Sequence, residues 1–133
     1  AVNNDTDNLL EKIWIHLPDS KVKVSIYGLE SLVHSDKITP QQALRVLGTK
    51  ADVRETVPSA LYCFIKATSY HQSILNAIKA GGDTDTTAAI VGALAGIKFG
   101  MGGINKEFYV VEDFDKLIQL DSQLYNRSSC KYF

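Results

Sequence analysis

The stretch that decides the fold reads Gly81-Gly82-Asp83-Thr84-Asp85-Thr86-Thr87-Ala88-Ala89-Ile90-Val91-Gly92-Ala93-Leu94-Ala95-Gly96, and runs on to Phe99-Gly100. Two glycines permit a sharp exit from a preceding helix, including backbone angles that other residues avoid. Two carboxylates and two hydroxyls follow within four residues, where a new helix presents its unpaired N–H groups. The small and apolar run from Ala88 to Phe99 is about 12 residues long, short of the roughly 20 that span a bilayer. Gly92, Gly96 and Gly100 are spaced by four, with Ala88, Ala89 and Ala93 beside them. Glycine inside a helix costs about 1 kcal/mol relative to alanine. Its repetition predicts a smooth face that another helix approaches closely, and so a buried helix in an all-α core.

Outward from this stretch the chain reads as further helices. Leu9, Leu10, Ile13, Trp14 and Leu17 make one apolar stripe from Asp5 or Asp7 to about Leu17, stopped by Pro18. Asn4-Asp5-Thr6-Asp7 reads as its cap. Val22, Val24 and Ile26 alternate as in a strand, but they run on into Leu29, Leu32 and Val33 at helical spacing, which favours helix. Thr39-Pro40-Gln41-Gln42 carries a capping box with proline in the first turn, and Gly48 is a natural stop. Thr56-Val57-Pro58 is read as the start of a central helix, apolar on nearly all sides through Leu61, Tyr62, Phe64 and Ile65. The next covers His71 to Ala80, with Ile74, Leu75 and Ile78 inward. The last covers about Glu112 to Asn126, with Phe114, Leu117, Ile118 and Leu124 apolar. The expectation is a single compact all-α helical bundle over residues 1–133.

Composition narrows the function class. The chain has 133 residues, 45% hydrophobic and 22% charged, with 14 basic and 15 acidic residues for a net charge of -1. That balance gives no electrostatic case for nucleic acid or an anionic membrane. Cys63 and Cys130 make no disulfide framework, and free thiols in a reducing, intracellular compartment are the simpler reading. No signal peptide is visible, and the Asn126-Arg127-Ser128 sequon is discounted for that reason. His16, His34 and His71 lack the spacing of helical metal ligands. Tyr109, Tyr125 and Tyr132 are scattered rather than arrayed on a basic surface. No nucleophile elbow is present.

The chemistry lies in Gly81 to Thr86. The aspartates stand at the positive end of a helix, which favours their ionised form. Two crowded carboxylates repel each other, and a hard cation with oxygen ligands relieves that. Asp83, Asp85 and Thr86 can therefore form part of a Mg²⁺ site. Aspartate and threonine at a helix start are also ordinary N-caps, and glycine before them an ordinary C-cap. A phosphate cradle is a third reading, opposed by the two aspartates and by the lack of a following lysine. On residue pattern alone the metal and the cap readings stand level.

Gly-Gly-Asp-Thr-Asp-Thr with its small-residue helix, ending at Phe99-Gly100, resembles the C-terminal signature of the ADP-ribosylglycohydrolase family, which includes the dinitrogenase reductase activating glycohydrolases. Glu55-Thr56-Val57-Pro58-Ser59-Ala60-Leu61-Tyr62-Cys63-Phe64 resembles the matching helix of its serine-ADP-ribose and poly(ADP-ribose) hydrolysing branch. The resemblance is good over Leu44 to Gly103 and looser in the flanks. It implies an all-α bundle holding two Mg²⁺ ions, with Asp83, Asp85 and Thr86 as C-terminal metal ligands. It implies substrates that are ADP-ribosylated proteins or ADP-ribose polymer. Ala51, in the loop Gly48-Thr49-Lys50-Ala51-Asp52-Val53, matches a residue that contacts adenine, although the family has a larger aliphatic side chain there. An ordinary helix connection is the other reading of that loop.

One departure matters most. The family carries a second metal cluster, a Thr- or Ser-Asp-Asp run, together with an early acidic residue and a Gly-Ser phosphate loop. None of these precedes Gly48. The chain is thus expected to be the C-terminal part of a longer domain, with the N-terminal half as its necessary partner. The leading function is Mg²⁺-dependent hydrolysis of the bond to ADP-ribose. The alternatives are a non-catalytic relative that keeps the fold, and a free-standing binding domain.

Overall fold

In the computed structural model, which describes residues 5–129, seven α-helices follow one another. They are α1 (Asp5–His16), α2 (Lys21–Val33), α3 (Pro40–Leu47), α4 (Val53–Lys66), α5 (Tyr70–Lys79), α6 (Thr84–Phe99) and α7 (Phe114–Ser129), with short 3₁₀ turns at Met101–Gly103 and Lys106–Tyr109. No strand occurs among the described residues, so the all-α reading holds. The chain divides into two compact units, Ala1–Gly103 and Ile104–Phe133. The side chains of the cap read at Asn4-Asp5-Thr6-Asp7 and of the sequon's Ser128 lie outside the described residues, as do Cys130 and Tyr132.

In the first unit α4 is the centre, packed against α2, α3, α5 and α6. Pro58, Ser59, Ala60, Leu61, Tyr62 and Cys63 are all buried along it. Leu29 from α2, Leu44 from α3 and Val91 from α6 are fully enclosed around it. Burying a side chain of this kind is worth about 1.5–3 kcal/mol. The helical choice for α2 holds: Ile26, Leu29 and Val33 are buried at spacings of three and four, while Val24 is exposed. The α3 capping box is also formed. The Gln42 amide donates to Thr39 Oγ1 at 3.3 Å, and the Thr39 amide donates to Gln42 Oε1 at 2.8 Å.

Three expectations need correction. The central helix begins at Val53, not near Pro58, because Asp52 caps it through the Arg54 amide at 2.9 Å. Pro58 therefore lies inside α4 and removes one intrahelical hydrogen bond. In α5 the buried residues are Ser73, Asn76 and Ala77, while Ile78 is exposed. Ile74 instead reaches Gly92 of α6, and the Ser73 hydroxyl is satisfied by the Tyr70 carbonyl at 2.6 Å. In α6 the packed stripe is Thr87, Val91 and Ala95. Gly92 does lie against α5, where an added Cβ would come within 3.4 Å of the Tyr70 hydroxyl. Ala89 and Ala93 are exposed, and a Cβ at Gly96 would meet nothing within 4 Å. The small-residue face is thus only partly the packed one.

Lys98 ties the far end of α6 to α4, donating to the Ala67 carbonyl at 3.2 Å; burial lowers its pKa. In the second unit, the Tyr109 and Phe114 rings stack with centroids 4.8 Å apart. Leu117, Ile118 and Leu124 of α7 are exposed. No helix among the described residues is long and apolar enough to cross a membrane.

Candidate functional site

Helices α2 to α5 each start with an N-cap side chain that accepts from a backbone amide: Ser20, Thr39, Asp52 and Ser69. Their ψ angles are extended, at 164°, 157°, 127° and 161°. Asp83 stands at the N-cap of α6 with ψ 69° and makes no side-chain cap hydrogen bond. That backbone rotation turns its carboxylate away from the amides it would otherwise satisfy. The aspartate is in the capping position without serving as the cap.

The backbone around it is held from outside α6. The Asp83 amide donates to the Thr49 carbonyl at 2.7 Å. Gly81 and Gly82 precede it at φ 73° and 76°, angles that favour glycine. At Gly82 an added Cβ would come within 2.1 Å of the Thr49 oxygen, so only glycine allows the two segments to meet.

Asp85 and Thr86 lie exposed in the first turn of α6. The Asp85 carboxyl is lowered from its ordinary value, first by hydrogen bonding with the Asp83 side chain, then by the amides of Thr86 and of Asp85 itself. The two carboxyls are therefore neighbours at one helix end. Asp83 and Asp85 lie side by side, with Thr86 exposed next in sequence, and oxygen atoms of these types suit a hard cation. Among the described residues no group of three or more His, Cys, Asp or Glu could hold a metal.

Ala51 is exposed in the loop joining α3 to α4. That loop is the one whose Thr49 carbonyl holds Asp83, so the two sequence-derived sites are joined by a hydrogen bond. The loop is itself braced. Lys50 N–H donates to Glu55 Oε2 at 3.0 Å, and Ser59 Oγ donates to the Gly48 carbonyl at 2.6 Å. Thr56 Oγ1 lies 3.1 Å from the Lys50 carbonyl and 3.0 Å from that of Asp52. Arg54 pairs with Asp52, which holds the Asp52 carboxyl well below the usual range. The roles of Thr49, Glu55, Thr56 and Ser59 were not read from sequence. The Asp52-to-Glu55 spacing was the available signal, since it has the form of a capping box.

Cys63 is buried and free, and burial pushes its thiol up to about 12. Tyr62 is also buried, and its hydroxyl has no hydrogen-bond partner among the described residues.

Comparison with known proteins bears on this arrangement. The family profile for ADP-ribosylglycohydrolase matches residues 1–132. ADP-ribosylhydrolase ARH3 of Bos taurus is 26% identical over 111 residues, covering 75% of this chain and 30% of the bovine protein. ADP-ribosylhydrolase ARH3 of Mus musculus is 24% identical over 143 residues, covering 96% of this chain and 39% of the mouse protein. An uncharacterised protein of Archaeoglobus fulgidus is 32% identical over 85 residues, covering 64% of this chain and 28% of its own length. The chain thus spans well under half the length of each of these relatives. No solved structure gives a significant match.

Proposed function

The chain belongs to the ADP-ribosylglycohydrolase family, and on that premise we propose that it supplies the C-terminal metal ligands of an enzyme that hydrolyses the glycosidic bond to ADP-ribose. The substrate class is a modified protein side chain or an ADP-ribose polymer. The kinship with proteins named ADP-ribosylhydrolase supports this choice. We place the activity inside the cell, in a protein whose N-terminal half provides the remaining ligands.

The observation that carries the reading is the uncapped carboxylate of Asp83. The N-cap side chains of α2 to α5 each accept from a backbone amide, and Asp83 at the N-cap of α6 does not. A carboxyl that satisfies no amide of its own helix, beside the Asp85 carboxyl and with Thr86 following in sequence, is a candidate ligand, and a cation would replace the hydrogen bond between the two carboxyls. Asp83, Asp85 and Thr86 would hold Mg²⁺. When bound, the cations orient the ribose and stabilise charge as the glycosidic bond opens. The residues of this chain contribute by fixing the ligands before substrate arrives, which lowers the cost of ordering them. Ala51, on the loop that braces Asp83, is the candidate substrate contact.

The test is release of ADP-ribose from an ADP-ribosylated peptide by the complete protein. Release requires Mg²⁺ and is lost when Asp83 and Asp85 are both replaced by asparagine. Full activity in that double variant would defeat the proposal. A non-catalytic relative that keeps the fold is the rival reading. An Asp-Asp run in the remaining sequence would decide against that rival. The 133-residue chain alone is expected to bind Mg²⁺ and ADP-ribose weakly or not at all.

A further inference from the structure

A hydrogen-bonded path from α4 ends at the backbone of Asp83, and it passes through a single peptide group. The carbonyl of that peptide belongs to Thr49 and accepts from Asp83 N–H at 2.7 Å. Its N–H belongs to Lys50 and donates to Glu55 Oε2 at 3.0 Å. Hydrogen bonds in series polarise one another, and a carboxylate acceptor strengthens the donor side of the peptide. The Thr49 oxygen thereby becomes the better acceptor for Asp83.

We propose that Glu55 is a positioning residue of the metal site, setting the backbone of Asp83 through the Thr49–Lys50 peptide. The proposal rests on the reading that Asp83 is a metal ligand. Glu55 is the third residue of α4, where a capping-box glutamate would accept from the amide of its own N-cap. It accepts instead from Lys50, two residues before that cap, so its carboxylate serves the loop. Both glycines beside the path hold positive φ angles that a side chain would strain. A Cβ at Gly48, where φ is 88°, would fall within 2.3 Å of Glu55 Oε2, and one at Gly82 within 2.1 Å of the Thr49 oxygen. Ser59 holds the Gly48 carbonyl at 2.6 Å, which fixes the loop at its other end.

The consequence concerns Asp83 itself. Its ψ of 69° keeps the carboxylate off the cap position. Without the hold on its amide, the residue can relax to the extended conformation of the other caps, where its carboxylate closes the helix end and leaves the metal.

The experiment uses the complete protein with Glu55→Gln and Glu55→Ala. Mg²⁺ alone is titrated by calorimetry, and amide hydrogen exchange is followed at Asp83 and Val91 without metal. Glu55→Ala is expected to weaken Mg²⁺ binding about tenfold, the worth of one charge-assisted hydrogen bond. Exchange at Asp83 should accelerate by a similar factor, with Val91 unchanged. Glu55→Gln keeps an acceptor without the charge and should shift both about threefold, half the free energy of the charged bond, so it still tests the proposal if the alanine variant does not fold. Wild-type Mg²⁺ affinity in both variants overturns the positioning role while leaving the metal site intact. Equal acceleration at Val91 also overturns it, by showing general loosening. If the unaltered protein does not bind Mg²⁺, the metal reading fails and takes the positioning role with it, even if Asp83 exchange responds.

Discussion

The amide of Asp83 donates to the carbonyl of Thr49 at 2.7 Å, so the loop before α4 fixes the residue that opens α6. The approach depends on Gly82, which has no side chain to keep the two backbones apart. Its neighbour Gly81 has nearly the same φ but open space around it.

That difference predicts an order. Gly81→Ala meets only the cost of a left-handed alanine, about 1–2 kcal/mol. Gly82→Ala meets the same cost plus a collision with the Thr49 oxygen, and should lose more stability. Denaturant unfolding of both variants checks this; equal losses would show that the contact at Thr49 is not tight.

Tyr62 buries a hydroxyl that no described residue satisfies. An unmade hydrogen bond of this kind costs about 1–3 kcal/mol. Tyr62→Phe removes the group and keeps the ring, so stability should stay level or rise. A loss above about 1 kcal/mol would mean that the hydroxyl has a partner.

Cys63 sets a limit at high pH. Burial raises its pKa from an ordinary 9.0 to about 12, favouring the neutral thiol in the folded state. The unfolded chain loses that proton first, so the contribution is full below pH 9 and declines between pH 9 and 12. Tyr62, raised by the same burial, acts in the same direction. In a Cys130→Ser background, native protein at pH 8 should resist iodoacetamide and unfolded protein should react. Cys63→Ala should flatten the alkaline decline. Rapid native alkylation would contradict the burial.

Much of the fold was legible because its signals are local. Thr39, Pro40 and Gln42 announce α3 within four residues, and Ile26, Leu29 and Val33 outweigh the brief strand-like alternation before them. The start of α4 was misjudged because Pro58 is a conspicuous signal and Asp52 a quiet one. The packed face of α6 was misjudged because small residues are as compatible with an open surface as with a close approach. Composition alone cannot separate the two. At the site, Asp83, Asp85 and Thr86 were legible as residues, but caps and hard-metal ligands use the same side chains. The backbone angle of Asp83 sets it apart from the other N-caps, and its amide is held by Thr49, which lies far off in sequence. A bond between two backbone groups leaves almost no trace in residue type beyond the glycine that permits it.

The most direct measurement is calorimetric titration of Mg²⁺ into the complete protein, unaltered and with Asp83→Asn and Asp85→Asn introduced singly. Binding in the unaltered protein, with its loss or severe weakening in both variants, is the expected result. Unchanged Mg²⁺ affinity in either variant would contradict the assignment of that aspartate as a metal ligand.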